Sequence, residues 1–191
     1  MLKTVMPDVV PVVPVSSVVA PAVQRATRDW PVRPIVVTEL ADKHDAFAAA
    51  GAALTKSGTS TLELALAGVP MAVTYRVNPV TAFLARRLIR VPFVAMVNLL
   101  AGRAVVPELL QENCRPDVLA HAVQTLFEDK AAAQAQKDAF ATLLRGLEGP
   151  GGVPPADAAA QAVLDLLARR TTPLQSMSDV RRGSGRVLPG R

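Results

Sequence analysis

The sequence has one cysteine, Cys114, and two histidines, His44 and His121, among its 191 residues. A single cysteine excludes an internal disulfide framework, and the spacing of these three residues matches no zinc site. We therefore expect a protein of the reducing cytoplasm without a zinc site.

Long hydrophobic runs are also missing. No stretch of 18 apolar residues occurs, and the valine-rich opening is interrupted by Pro7, Pro11, Pro14 and Pro21. A membrane span would need such a run, and an ordinary signal peptide would need an unbroken apolar segment of roughly 7–15 residues. Any contact with a membrane is therefore expected to be peripheral.

Aromatic residues make up only 4% of the chain, and the net charge of +5 is unevenly placed. Residues 171–191 contain four arginines against one aspartate, a net of +3, which leaves +2 for the other 170 residues. Nucleic-acid-binding surfaces usually combine a basic patch with stacking aromatics. The sequence predicts no nucleic-acid partner.

Half of the residues are hydrophobic, and alanine and valine supply much of this content. Small side chains let helices pack closely on a sheet, which is typical of α/β proteins. The length allows one domain with appendages, and we expect the domain over residues 1–170. From Thr171 onward the sequence loses all periodicity, so we expect a disordered basic tail over 171–191.

Short apolar runs alternate with helical stretches, which predicts βαβ units and a Rossmann-like parallel sheet flanked by helices. Residues 91–111 are less regular. They are interpreted as a strand or extended stretch, then a loop with Asn98, Gly102 and Arg103, and then a short helix near Pro107. The predicted strands are 8–14, 34–39, 52–56 and 71–75, and the other predicted helices are 17–28, 42–50, 59–67, 79–90, 116–128, 130–146 and 156–170.

The segment KSGTSTLELALAGVP, residues 56–70, places a hydroxyl-rich turn between a strand and a helix. In one interpretation Ser60 caps the helix and Glu63 completes a capping box, which needs no function. In the other, Gly58 lets a ligand approach, free backbone N–H groups hold a diphosphate, and Glu63 reaches a sugar hydroxyl. The carboxyl end of a parallel strand favours the second interpretation, because open α/β sheets bind ligands there.

Two stretches, ADKHDAFAAAGAALTKSGTSTLELALAGVPMAVTYRVNP (41–79) and VNLLAGRAVVPELLQENCRPDVL (97–119), resemble lipid-A-disaccharide synthases; FLARRLIRVPF (83–93) joins them. The resemblance implies the carboxy-terminal half of a GT-B glycosyltransferase. It also implies a reaction that transfers diacylglucosamine from its UDP-activated form to diacylglucosamine 1-phosphate, releasing UDP, with no metal ion and no cofactor. The donor-binding residues that it implies are Ser57, Gly58, Thr59, Thr61, Glu63, Asn98 and Arg103; no catalytic residue is assigned.

The same resemblance implies that an amino-terminal domain, with the acceptor site and a catalytic base, is missing from these residues. It further implies a location at the cytoplasmic face of the inner membrane. The basic helix 79–90, with Arg86 and Arg90, and the tail would then meet anionic lipid. Two alternatives stay open: another UDP-sugar transferase or epimerase of the same fold, and a non-catalytic module that binds a UDP-sugar.

Overall fold

The computed structural model describes residues 6–88, 91–147 and 150–171. The expected tail therefore lies outside the described residues, apart from Thr171, as do Arg90 and the side chains of Phe83, Leu84, Arg86 and Leu88. The chain divides into two compact units, Met1–Arg145 and Gly146–Arg191, and each is described by itself.

Up to residue 88 the first unit alternates strands and helices in the order that the sequence predicts. Its strands are β1 (Val12–Pro14), β2 (Ile35–Val37), β3 (Ala53–Lys56), β4 (Met71–Tyr75) and β5 (Glu108–Leu110). Its helices are α1 (Ala20–Ala26), α2 (Leu40–Ala49), α3 (Ser60–Leu66), α4 (Pro79–Leu88), α5 (Met96–Ala101), α6 (Pro116–Glu128) and α7 (Lys130–Leu147), the last of which runs into the second unit. Short 3-10 turns occupy Gln111–Asn113 and Pro150–Gly152, and α8 (Pro155–Thr171) belongs to the second unit.

All the strand pairs are parallel, and they form two sheets. β1 pairs with β2, while β4 lies between β3 and β5 in the second sheet. The expectation of an α/β fold with parallel strands and flanking helices is confirmed. Within the described residues, no helix is both long enough and apolar enough to cross a membrane.

The core forms around β4, whose first three residues, Met71, Ala72 and Val73, are fully buried. Apolar residues of α3, α5 and α7 pack on it, among them Leu64, Val97 and Phe140. A strand buried on both faces needs a continuous apolar run, which the sequence MAV supplies. The helix α3 ends at Leu66, and Gly68 just past it has a φ of +67°, which suits glycine, as the sequence predicts.

The structure corrects the prediction for residues 91–111 in two places. The predicted helix near Pro107 is instead strand β5, and Asn98 lies in helix α5 rather than in a loop. Glu108–Leu110 pairs with β4 because the backbone of a buried central strand needs hydrogen-bond partners on both edges. No strand forms over residues 91–95, which lead instead into α5.

One buried polar contact ties α7 to the sheet. Gln136 is 6% exposed, and its Oε1 accepts a hydrogen bond from the backbone N–H of Met71 at 2.8 Å. We expect Gln136→Leu to lower the free energy of unfolding by about 1–3 kcal/mol, because the N–H loses its acceptor. Urea unfolding should detect this loss. The same change at Gln134, an exposed residue of α7, is the control, and an equal loss at both positions would contradict the assignment.

Candidate functional site

The hydroxyl-rich turn begins where β3 ends, at the carboxyl edge of the three-stranded sheet. The Ser57 Oγ–H donates a hydrogen bond to the carbonyl of Val94 at 2.7 Å. Gly58 has a φ of +158°, and the space that a Cβ would fill there is open for 4 Å. The backbone at Gly58 is therefore accessible to a ligand, as the second interpretation of the sequence requires.

The backbone N–H groups of Gly58, Thr59 and Ser60 have no hydrogen-bond partner in the part of the chain that the structure describes. Thr59 occupies the N-cap of α3, and its side chain makes no capping hydrogen bond. Three neighbouring donors at a positive helix end attract an anion. This part of the turn has the chemistry for binding phosphate oxygens.

The side chain of Thr61 lies inside the protein rather than at the surface of the turn. It is fully buried, and its Oγ1–H donates to the carbonyl of Gly58 at 2.8 Å. Its N–H reaches the same carbonyl at 3.2 Å. The contacts of Thr61 therefore hold the turn from inside.

Glu63 lies in the first turn of α3, and its carboxylate pairs with Lys43 of α2. Oε2 is 2.7 Å from Lys43 Nζ and has no other partner among the described residues. The Lys43 ammonium also lies 5.5 Å from the centroid of the Phe47 ring. The capping-box interpretation is wrong, because Thr59 rather than Ser60 is the N-cap and Glu63 turns toward α2. The side chain of Glu63 remains 38% exposed, which leaves it open to a polar ligand.

Asn98 and Arg103 have opposite surroundings, although both belong to the string Asn-Leu-Leu-Ala-Gly-Arg. Asn98 is fully buried, and its amide makes four hydrogen bonds to residues of the following segment. Arg103 is exposed and has no hydrogen bond or ion pair within the described residues. Of the two, only Arg103 presents a charged group to solvent.

Two contacts at the same sheet edge are not predicted by the sequence analysis. Lys56 Nζ, at the end of β3, lies 5.6 Å from the centroid of the Tyr75 ring at the end of β4. Gln111, just after β5, accepts a hydrogen bond from the N–H of Val77 at 2.9 Å and has a φ of +48°. A non-glycine residue with positive φ is uncommon, and such residues concentrate at functional sites. The ends of all three strands are thus joined by side chains next to the turn.

His44 and His121 are exposed on α2 and α6, and Cys114 is half-buried beside Thr74, whose hydroxyl donates to its Sγ at 3.1 Å. No group of three His, Cys, Asp or Glu side chains in residues 6–88, 91–147 and 150–171 is arranged to hold a metal ion. The candidate site consists of the turn, Glu63, Arg103 and the ends of the three strands.

Comparison with known proteins gives a consistent result. The sequence model of the lipid-A-disaccharide synthetase family matches residues 2–150. A lipid-A-disaccharide synthase from Gluconobacter oxydans is 61% identical over 166 residues, which cover 87% of this chain and 40% of the relative. One from Granulibacter bethesdensis is 54% identical, covering 86% and 44%, and one from Rhodospirillum centenum is 49% identical, covering 86% and 41%.

The chain thus spans about two fifths of the length of these curated relatives. The matched region includes the turn, Glu63, Asn98, Arg103 and all five strands. The resemblance drawn from residues 41–79 and 97–119 is confirmed. With its Rossmann-like sheet and this match, the chain belongs to the lipid-A-disaccharide synthetase family of GT-B glycosyltransferases.

Proposed function

We propose that this chain binds the UDP-sugar donor of a glycosyltransferase that makes lipid A disaccharide. The donor would be UDP-diacylglucosamine, and the acceptor a diacylglucosamine 1-phosphate, which gains the sugar as UDP departs. The observation that carries the proposal is the Ser57–Ser60 turn, with its three unpartnered N–H groups at the carboxyl edge of a parallel sheet. Membership of the family supports it.

The proposed role of each residue follows from its chemistry. The N–H groups of Gly58, Thr59 and Ser60 would hold the diphosphate, and Glu63 would accept hydrogen bonds from the ribose hydroxyls. The departing diphosphate gains negative charge in the transition state, and fixed N–H donors stabilise that charge without reorganising. The exposed guanidinium of Arg103 would add a charge-assisted hydrogen bond to the same group.

The remaining candidates, Ser57, Thr61 and Asn98, donate hydrogen bonds inside the protein. We infer that they shape the donor site rather than bind the nucleotide. The domain itself is proposed to extend over residues 1–170. Because the chain spans about two fifths of its relatives, we also propose that an amino-terminal domain supplies the acceptor site and the base.

Nucleotide binding is the direct test of this proposal. Calorimetric titration should show UDP binding to residues 1–191. Glu63→Gln should weaken UDP binding by about 1–3 kcal/mol, because a charged acceptor for the ribose hydroxyls is lost. Pyrophosphate, which has no ribose, should bind the variant and the wild type equally.

Glu128 lies on the exposed surface of α6. Glu128→Gln is therefore the matched control, and it should change the affinity for neither ligand. If Glu63→Gln lowers the affinity for UDP and for pyrophosphate equally, the role of Glu63 is limited to its ion pair with Lys43. A wild-type chain that binds no UDP would contradict the donor-site proposal and favour a non-nucleotide role for the module. An epimerase would instead need acid and base groups at the site, and the two histidines are exposed on α2 and α6.

We further propose that the protein works at the cytoplasmic face of the inner membrane, where its lipid substrates lie. The basic tail supports this, since each basic residue near an anionic surface contributes about 1 kcal/mol. Replacing Arg181 and Arg182 with glutamine should weaken binding to phosphatidylglycerol vesicles by about 2 kcal/mol at low salt. Sedimentation with the vesicles measures this, and the effect should fade at high salt.

The matched control for the vesicle experiment replaces two exposed arginines of the folded part, Arg28 and Arg33, with glutamine. It changes the net charge by the same amount. Equal losses in the two double variants would mean that overall charge, rather than the tail, drives the association.

A further inference from the structure

Glu108 accepts hydrogen bonds from three donors ahead of helix α5. Its carboxylate receives the N–H of Val94 at 3.0 Å and the N–H of Ala95 at 2.9 Å. It also receives Asn98 Nδ2–H at 2.9 Å. A carboxylate that accepts several N–H groups at a helix start replaces the cap that the local sequence lacks. Glu108, a residue of β5, thus holds the backbone of Val94 and Ala95 in place.

Asn98, which donates to the same carboxylate oxygen as Ala95, also holds the backbone that follows α5. Its Oδ1 accepts the N–H groups of Val105 and Val106 at 2.7 and 2.9 Å, and its Nδ2 also donates to the carbonyl of Val106 at 2.9 Å. With the bond to Glu108, the amide uses two donors and two acceptor positions, so no hydrogen remains for a ligand. The segment between α5 and β5 is held by one buried side chain.

The third link joins this segment to the turn. The carbonyl of Val94, whose own N–H is held by Glu108, accepts the Ser57 hydroxyl at 2.7 Å. A serine hydroxyl has a single hydrogen. Because that hydrogen is committed to Val94, Ser57 Oγ offers only lone pairs to a ligand and cannot donate to a phosphate.

We propose that Glu108 is a positioning residue of the donor site, acting on the Ser57–Ser60 turn through Val94 and Ser57. Glu108 touches no substrate in this scheme. It keeps the turn in the conformation that exposes the N–H groups of Gly58, Thr59 and Ser60. The effect on nucleotide rests on the proposed function, whereas the effect on the turn does not.

Amide hydrogen exchange without nucleotide tests the effect on the turn. The N–H groups of Thr61 and Leu62 bond to the carbonyls of Gly58 and Thr59, so their exchange reports the turn's conformation. In Glu108→Gln an amide NH2 would face the donors that the carboxylate accepts. We expect about tenfold faster exchange at Thr61 and Leu62, and a smaller increase in Ser57→Ala.

A reporter amide and a control variant distinguish a local effect on the turn from a general loss of stability. The N–H of Ala53, bonded to Pro70 at the opposite end of β3, should keep its exchange rate in Glu108→Gln. Gln136→Leu, which weakens the fold away from the turn, should not accelerate Thr61 and Leu62 selectively. Unchanged exchange at Thr61 and Leu62 in both Glu108→Gln and Ser57→Ala would overturn the proposal.

A double-mutant cycle on UDP binding tests the effect on the site. Glu108→Gln and Ser57→Ala should each weaken UDP, the former about tenfold, and the double variant should lose no more than Glu108→Gln alone. Full additivity of the two losses in UDP binding would mean that Ser57 contacts the diphosphate independently of Glu108. That result would overturn the proposal. If the wild type binds no UDP, the proposed function fails and the exchange measurement alone decides the role of Glu108.

Discussion

Residues 1–191 alone are expected to form no disaccharide from UDP-diacylglucosamine and diacylglucosamine 1-phosphate. Holding the donor carbon and the acceptor hydroxyl at reacting distance accounts for roughly 7–11 kcal/mol of such a barrier. A positioned base contributes a further factor of about 10²–10⁴. In the proposed function an amino-terminal domain meets both requirements, and this chain spans about two fifths of the length of its relatives.

The carboxylates beside the turn support this expectation. Glu63 is paired with Lys43, and Glu108 accepts hydrogen bonds from three donors. A general base needs a lone pair directed at the acceptor hydroxyl. In the proposed function Glu63 is occupied by the ribose hydroxyls and Glu108 by the donors that it holds, so neither serves as that base.

The measurement is a disaccharide-forming assay on purified residues 1–191, with and without the amino-terminal part of the Gluconobacter oxydans relative. Product should appear only in the mixture, and Glu63→Gln should reduce it. Turnover by residues 1–191 above the protein-free blank would contradict the expectation and require a base within this sequence. Added UDP, as a competing product, serves as the control for specific turnover.

Phe140→Ala is expected to cost about 3–5 kcal/mol of unfolding free energy. Phe140 is 1% exposed and packs in the core with residues of α3, α5 and β4. Removing the ring would take away its burial and leave a cavity that the neighbours fill only partly. Urea unfolding followed by circular dichroism measures the loss.

The matched control is Leu66→Ala on α3, because the Leu66 side chain is 69% exposed. That change should stay within about 0.5 kcal/mol of the wild type. Similar losses for Phe140 and Leu66 would contradict the placement of α7 against the sheet. A large loss for Phe140 alone would support α7 as part of the core of Met1–Arg145.

The region from β3 to β4 could be predicted because its signals are local. A short apolar run, a glycine-containing turn, an amphipathic helix and Gly-Val-Pro follow one another within residues 52–75. Each signal depends on neighbours in sequence, and the structure places the elements within a residue or two of the prediction. The position of the Ser57–Ser60 turn between β3 and α3 therefore follows from the amino-acid sequence alone.

Residues 91–111 could not be predicted because their structure depends on distant partners. The amino end of α5 is capped by Glu108, thirteen residues beyond Ala95, and β5 exists because β4 needs an edge partner. Pro107 and Glu108 resemble a helix start by local criteria. The contact between Lys43 and Glu63 likewise depends on how α2 packs beside α3, which no sequence spacing specifies.

An NMR titration of ¹⁵N-labelled residues 1–191 with UDP tests the central claim most directly. The amide signals of Gly58, Thr59 and Ser60 should shift most, with smaller changes near Glu63, Arg103 and the end of β4. Among the described residues the three N–H groups have no partner, and Glu63 and Arg103 are the charged residues of the proposed donor site. Saturable shifts centred on another face of the sheet, or no shifts at millimolar UDP, would contradict the assignment of this turn as the donor site.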